Sequence, residues 1–198
     1  MPKLNDDFAN AQESSAGEFK TLQPGVYMCR IQAVRTEGEN SSGPWTSEEK
    51  QYVKLVLDIA DGEFAEYFSD EYWHGEDKDW GHSMYMSWKS TAYGMLKHTF
   101  KSFDESNAGF DSQAAFEADK WEMFTDKLLL VQWNGEEYES NTGDVRLRVR
   151  PDRAVTDSDN VKVKVTKLDG TKVDADEYSL PTLAEQAEVA AYNAEVPF

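Results

Sequence analysis

The chain has 198 residues, of which 39% are hydrophobic and 13% aromatic, and its formal net charge is −18. This length and composition indicate one globular domain with appendages, large enough to form a core without disulfide bonds. The charge argues against general binding to duplex DNA, because that binding is driven by neutralising phosphates. The single cysteine, Cys29, excludes an internal disulfide. No apolar run approaches the ~20 residues of a membrane span and the start does not resemble a signal peptide, so we expect a cytoplasmic protein.

Residues 1–20 are small and polar, which predicts a flexible N-terminal arm. A first strand follows in VYMCRIQAVR, with Cys29 and Ile31 on one face and Arg30 on the other. The hydrophilic loop after this strand contains one aromatic residue, Trp45. Because loops often carry function, Trp45 is a candidate contact residue, and the alternative is that it folds back as a lid on the core.

The segment QYVKLVLDIADG predicts a second strand, with Tyr52 and Lys54 on its outward face. The next segment, EFAEYFSDEYW, predicts a third strand that ends in an acidic and aromatic stretch containing Trp73 and Trp80. Apolar residues then recur every three or four positions from Met84 to Lys101, which predicts an amphipathic helix. A second helical segment is predicted from residue 112 to 124.

Residues 127–153 predict two antiparallel strands joined by a polar loop that contains glycine. The first, from Leu128 to Trp133, is almost uninterruptedly apolar. The second alternates strictly, which places one face in the core and a row of arginines on the other: Val145, Leu147 and Val149 against Arg146, Arg148 and Arg150. Adjacent arginines repel each other, so an anionic partner across them would explain the row. The alternative is a solvated face whose arginines pair with nearby carboxylates.

The remainder of the chain is acidic. A short hairpin around Asp169 and Gly170 and a disordered segment are both compatible with residues 156–178. Residues 166–198 carry two basic and seven acidic side chains, which predicts an acidic C-terminal tail, and they end in Glu-Val-Pro-Phe.

Five strands with helices between the third and the fourth are the outline of an OB-fold, a small and partly open barrel that binds oligonucleotides. In PGVYMCRIQAVR, VKLVLDIADGEF and GDVRLRVRPDR, the chain resembles phage-encoded single-stranded DNA-binding proteins, including a phage family catalogued as a domain of unknown function. The resemblance covers roughly residues 22–155. The Glu-Val-Pro-Phe ending is similar to the Asp-Ile-Pro-Phe tip of bacterial single-stranded DNA-binding proteins.

The resemblance implies a mainly β protein in which residues 21–165 form an OB-fold-like five-stranded barrel. Its expected role is to bind single-stranded DNA with little sequence preference in phage replication or recombination, and to recruit proteins of those processes through its tip. The expected DNA-binding residues are Arg30, Trp45, Tyr52, Lys54, Trp73, Trp80, Arg146, Arg148, Arg150 and Arg153, and the expected partner-binding residues are Glu195, Val196, Pro197 and Phe198. No cofactor or metal is expected, and a homo-oligomer is left open.

The sequence has no arrangement typical of catalysis. It lacks a glycine-rich phosphate loop and a Ser or Cys nucleophile with a histidine partner, so we do not expect an enzyme. A different class of function is an acidic interaction protein that mimics DNA and inhibits a host nucleic-acid enzyme, for which a charge of −18 would be suited. The segregated arginine strand and the aromatic-rich loops favour single-stranded DNA binding over mimicry.

Overall fold

Residues 21–40, 42–69 and 79–181 are described by a computed structural model of the protein. The expected N-terminal arm and the part of the expected tail from residue 182 onward lie outside these residues. Within them the protein is mainly β, with a mixed sheet of seven strands, a separate hairpin and a few helices. The strands are β1 (Gly25–Arg35), β2 (Glu37–Asn40), β3 (Gly43–Thr46), β4 (Tyr52–Ile59), β5 (Ser83–Ser87), β6 (Leu128–Glu139), β7 (Val145–Ala154), β8 (Lys164–Thr166) and β9 (Lys172–Asp174).

The large sheet has the order β5-β4-β1-β6-β8-β9, and β7 pairs with the opposite edge of β6. Its neighbours are antiparallel except for β6 and β8, which run parallel. Strands β2 and β3 form the separate hairpin within the segment expected as a loop. In the described ranges β5 and β7 are not hydrogen-bonded to each other, so the sheet does not close.

The helices are α1 (Ser47–Lys50), α2 (Tyr93–Ser106) and α3 (Ser112–Glu117), with 3-10 helices at Gly62–Phe64, Asp79–Gly81, Ser90–Ala92, Trp121–Phe124 and Ala175–Glu177. Helix α2 packs against β5, β6 and β7, whereas α1 and the 3-10 helix Ala175–Glu177 bury no side chain. The core face of the sheet carries alternate apolar side chains that are almost wholly buried: Cys29, Ile31, Val53, Leu55, Leu57, Met86, Leu129, Val131 and Trp133. Each such side chain contributes roughly 1.5–3 kcal/mol by its burial. None of the described helices is both long and apolar enough to cross a membrane.

The expected third strand and the expected first helix are both displaced. The segment after β4 forms the 3-10 helix Gly62–Phe64, and Phe64 and Phe68 pack into the core instead of continuing as a strand. The third strand of the sheet is β5, inside the segment expected to be helical. In β5 the methionines Met84 and Met86 are buried while Tyr85 is exposed, which is the period of a strand. Helix α2 therefore begins only at Tyr93.

The second expected helix is divided into two short pieces. Asp111 caps the N-terminus of α3, since its side chain accepts a hydrogen bond from the backbone N–H of Ala114. The helix ends at Glu117, and Asp119 then has a φ of 53°, in the left-handed region that an α-helix cannot accommodate. The chain resumes as a 3-10 helix whose last residue, Phe124, is fully buried.

Strand β6 is longer than expected, because it continues six positions beyond Trp133 to Glu139. Its pairing with β7 confirms the predicted antiparallel pair of strands. The hairpin around Asp169 and Gly170 is present as β8 and β9, and Gly170 has a φ of 83° in its turn. The sheet thus extends to Asp174, past the expected start of the acidic tail at residue 166.

Gly135 is the position where β6 is most closely surrounded. A Cβ atom at this residue would lie 2.9 Å from Pro24 Cγ, 2.9 Å from Val165 Cγ2 and 3.0 Å from Leu147 Cδ1. The atoms of Pro24 and Val165 belong to stiff side chains, so they cannot move aside by a simple rotation. The glycine is therefore required by packing, since it lets β1, β7 and β8 converge on one strand.

We expect Gly135→Ala to lower the free energy of unfolding by about 1–3 kcal/mol, because the added methyl overpacks this convergence. Urea denaturation followed by circular dichroism measures the change. The control is Gly94→Ala in α2, where a Cβ would meet no atom within 4 Å apart from its chain neighbours and the backbone of its own helix, and where alanine favours the helix. Unfolding midpoints that shift equally for both variants would contradict the packing argument.

Candidate nucleic-acid interface

The arginine row of β7 has the alternation that the sequence predicts. Arg146, Arg148 and Arg150 lie opposite Tyr138, Glu136 and Asn134 of β6. Directly opposed residues of antiparallel strands project to the same face, so the six side chains share one face of the hairpin. This face of the hairpin is opposite the one on which Gly135 and Trp133 contact the core.

Arg153 joins this face although it follows Arg150 by three positions, an odd number that would place it on the other face of a regular strand. The β6–β7 register shifts between Gln132, which pairs with Arg153, and Trp133, which pairs with Pro151. Asp152 is therefore an extra residue in β7, a β-bulge beside a proline that has no N–H to give to the ladder. Arg153 Nε donates to Gln132 Oε1 at 3.0 Å. We call Arg146, Arg148, Arg150 and Arg153 the arginine track.

Two arginines of the track are paired with carboxylates. Arg148 donates from Nε to Glu136 Oε2 at 2.9 Å and from Nη2 to Oε1 at 2.8 Å. These hydrogen bonds lower the pKa of Glu136 and raise that of Arg148. Arg146 Nη2 lies 3.8 Å from Asp144 Oδ2. The interpretation in which neighbouring carboxylates neutralise the row is thus confirmed for these two arginines.

The environment of Arg150 differs from that of its neighbours. Burial is the main cause of a lowered pKa for Arg150, and the positive charge of Arg148 lowers this pKa further. A guanidinium that is partly desolvated and repelled by another cation is stabilised by an approaching anion.

Arg148 also contacts an aromatic ring: it lies 5.5 Å from the centre of the Tyr138 ring, within the range of a cation–π contact. Tyr138 is an aromatic member of this face that the sequence did not indicate, because its segment was expected to be a loop.

Lys54 was expected to contact DNA, and this expectation is wrong. The residue is only 8% exposed, because both faces of β4 are covered beyond Tyr52. Asp79, which is buried, accepts a hydrogen bond from Arg35 Nε at 2.5 Å and lies 3.6 Å from Lys54 Nζ. The lysine is held in an internal ion cluster and is not accessible to a phosphate.

Trp45 was also expected to be exposed, and this is a second correction. It is 3% exposed and packs between Gly38 and Tyr52, as the alternative of a lid predicts.

Tyr52 also packs against a second tyrosine. The centres of the Tyr52 and Tyr85 rings lie 4.6 Å apart, and Tyr85 is 52% exposed. We call Tyr52 and Tyr85 the tyrosine pair. The sequence assigned Tyr85 to the apolar side of a helix, whereas the structure places it in β5, between the buried side chains of Met84 and Met86.

Arg30 is exposed and lies beyond the Arg153 end of the arginine track. Its register partner on β6 is Leu128, whereas the partner of Arg153 is Gln132. Four residues of strand, about 13 Å, separate these two positions along β6, and β1 and β7 pair with opposite edges of that strand. Arg30 is therefore outside the row of arginines on β7.

A cleft of about 370 Å³ connects the tyrosine pair to the track. It lies between β5, β7 and α2, and both Tyr85 and Arg153 line it. Aromatic rings and guanidinium groups are the two components of surfaces that bind single-stranded nucleic acids. The structure thus brings Tyr52, Arg146, Arg148, Arg150 and Arg153 of the expected set onto one continuous surface.

The remaining expected residues are not described. Trp73 and the C-terminal Glu195, Val196, Pro197 and Phe198 lie outside the described residues, as does the side chain of Trp80. Among the residues that are described, no group of three or more His, Cys, Asp or Glu side chains could hold a metal ion.

The chain matches no known protein family, and no characterised protein matches its sequence.

The ion cluster around Asp79 generates a prediction about stability. Asp79→Asn removes the charge of the carboxylate that Arg35 and Lys54 share, and we expect the free energy of unfolding to fall by about 2–4 kcal/mol. The loss stays below that of a fully buried pair because Arg35 is 23% exposed. Thermal and urea denaturation measure it against Asp61→Asn, at an exposed aspartate whose side chain does not cap the following helix. An unchanged midpoint in Asp79→Asn would show that the cluster is not structural.

Proposed function

We propose that this protein binds single-stranded DNA along the arginine track and the tyrosine pair, with little sequence preference. The observation that carries the proposal is the collection of four arginines on one face of a hairpin in a chain whose net charge is −18. Grouping like charges raises the electrostatic energy of the folded protein, and a polyanion lying across them would lower it. A flexible single strand can follow a curved row of cations while its bases stack on nearby rings.

The fold that we propose for this function is a partly open OB-fold-like barrel. Strands β1, β4, β5, β6 and β7 would be its five strands, since β1 pairs with both β4 and β6, β4 pairs with β5, and β6 pairs with β7. Helix α2 lies between the third and fourth of these strands, as in that fold. The opening between β5 and β7 would be the seam of the barrel.

Phosphates would bind by exchange with the carboxylates of the track. The pair of Arg148 and Glu136 is 37% and 45% exposed, and an exposed ion pair contributes about 0–1 kcal/mol. A phosphate oxygen offers Arg148 the same charge-assisted hydrogen bonds that Glu136 offers. The exchange therefore costs little, and it frees Glu136 to turn toward water. Bases would stack on Tyr85 and Tyr138, each stack contributing roughly 1–3 kcal/mol.

The resemblance to phage-encoded single-stranded DNA-binding proteins supports the same function, and with it a role in phage replication or recombination. Recruitment of proteins through Glu195, Val196, Pro197 and Phe198 remains a prediction from the sequence. A terminal phenylalanine beside proline could place its ring in an apolar pocket while the carboxylate meets a basic residue.

A second candidate function is the acidic DNA mimic. The observation that favours it is that Arg146 and Arg148 already have carboxylate partners, so part of the track is neutralised within the protein. Against it, a mimic has no use for arginines gathered on one face. The two functions differ in whether the protein binds DNA at all.

Titration of fluorescent oligo-dT with the full chain tests the proposal, with duplex of equal length as the comparison. We expect oligo-dT to bind more tightly than duplex. If the four arginines each displace a counterion, the log–log dependence of affinity on salt should have a slope of about −3. Between about 50 and 200 mM salt the affinity should then fall roughly fiftyfold. No binding of oligo-dT at tens of micromolar protein, on the order of 10⁻⁵ M and thus within the usual range of non-specific binding, would exclude this function and favour the mimic.

The exchange mechanism makes a specific prediction about Glu136. We expect Glu136→Gln to strengthen oligo-dT binding by up to about fivefold, because Arg148 no longer has to leave an ionised partner. The matched control is Glu139→Gln on the same strand, which removes the same charge at a residue that pairs with Val145 on the opposite face. An equal gain in both variants would mean that only net charge matters, and that Arg148 and Glu136 do not exchange partners.

A further inference from the structure

The cleft at the seam between β5 and β7 has a chemistry that the arginine track does not account for. One wall is apolar and consists of Met84, Tyr85, Met95 and Leu96. Met95 is 61% exposed and Tyr85 is 52% exposed, so these side chains are accessible to a ligand. The volume of about 370 Å³ is at the lower end of small-molecule sites. It accommodates a planar ring system with its sugar, whereas a folded partner could not enter it.

The rim of the cleft also presents hydrogen-bond acceptors. Asp159 Oδ2 lies 2.8 Å from His98 Nε2 and accepts the backbone N–H of Thr156 at 2.7 Å. Its other oxygen, Oδ1, takes part in neither of these two contacts. Asp152, the extra residue of the β7 bulge, is exposed and has no hydrogen-bond partner among the described residues. Both carboxylates can therefore receive donors from a ligand.

The position of Asp159 is fixed and its charge is maintained. His98 belongs to α2 and Thr156 follows β7, so the carboxylate is held from two sides of the cleft. The hydrogen bond from the Thr156 backbone is the main cause of a lowered pKa for Asp159, and His98 lowers it further. A carboxylate that remains ionised acts only as an acceptor, so it selects ligands with N–H donors.

Arg153 supplies the one cationic group of the lining that is not engaged by a carboxylate in the described residues. Its Nε is bonded to Gln132, and its two terminal nitrogens have no described partner. A ligand that satisfies the cleft therefore combines a flat apolar ring, adjacent N–H donors and an anionic group. Among the DNA bases, guanine presents two adjacent donors, N1–H and N2–H, which match a carboxylate; adenine, cytosine and thymine each present one.

We propose that the seam cleft binds a single guanine nucleotide, with its ring against Tyr85 and Met95, its Watson–Crick edge on Asp152 and Asp159, and its phosphate at Arg153. The inference rests on the proposed binding of single-stranded DNA, to which it adds one base-selective position. The protein then binds any single strand through the arginine track, and it sets the register of the strand wherever a guanine reaches the seam.

Two measurements on the full chain test the site. The first compares the affinities of four 15-mers of thymidine that carry G, A, C or T at the central position, a length of about one OB-fold site. We expect the oligonucleotide with G to bind about fivefold more tightly than the other three, since a good two-point contact to a base discriminates by about that factor or more. The second adds dGMP, dAMP, dCMP or dTMP and follows the methyl resonance of Met95, which we expect dGMP to shift most.

Asp152→Asn provides the variant and Asp157→Asn the control. Both residues are exposed and both substitutions remove one charge from the same stretch of chain, but only Asp152 lines the cleft. We expect Asp152→Asn to abolish the preference for G while leaving oligo-dT affinity within twofold, about the size of a surface charge effect, and Asp157→Asn to retain the preference. A preference for G that survives Asp152→Asn would overturn the assignment of the rim.

The outcomes separate this inference from the proposed function. Four oligonucleotides that bind equally, in a protein that does bind oligo-dT, would overturn the guanine site and leave the proposed function in place. A selective shift of Met95 by dGMP, in a protein that does not bind oligo-dT, would support the cleft as a nucleotide site and exclude the wider function.

Discussion

Strand β6 is the element on which the rest of the structure depends, because three strands hydrogen-bond to it. Strands β1 and β8 follow each other along one edge, and β7 occupies the other. Three neighbours can converge on one strand only where the side chain between them is absent, and this is the role of Gly135. The same strand carries Leu129, Val131 and Trp133 in the core, so sheet pairing and core packing fix its position together.

The surface of β7 is a consequence of how it pairs with β6. A regular strand would direct Arg153 away from Arg146, Arg148 and Arg150, and the bulge at Asp152 brings it back to their face. The bulge also displaces Asp152 to the rim of the seam cleft. One inserted residue thus completes the cationic row and supplies a carboxylate next to it, at the point where β5 and β7 remain unpaired.

The sequence predicts those parts of the fold in which one periodicity dominates. The alternation in VRLRVR and in VKLVLDI identifies β7 and β4 directly. It fails at β5, because Tyr85 and Trp88 also satisfy a helical spacing, and only pairing with β4 selects the strand. Within the candidate site, the row from Arg146 to Arg150 is readable from the alternation. Contacts between distant segments determine the rest of the site, and no local pattern contains them. They fix the placement of Arg153, the pairing of Tyr52 with Tyr85 and the burial of Trp45.

Burial decides which cations of this acidic protein can meet an anionic ligand. Lys54 and Arg148 both have a carboxylate partner, and a strand pattern alone cannot distinguish them. Asp79 is buried, so removing a charge from its cluster costs several kcal/mol and the lysine is retained inside. Glu136 is exposed, so water and salt already weaken its hold on Arg148, and a phosphate can replace it at little cost. A net charge of −18 is therefore compatible with binding DNA, because the relevant quantity is the energy of exchanging each arginine's partner and not the sum of charges.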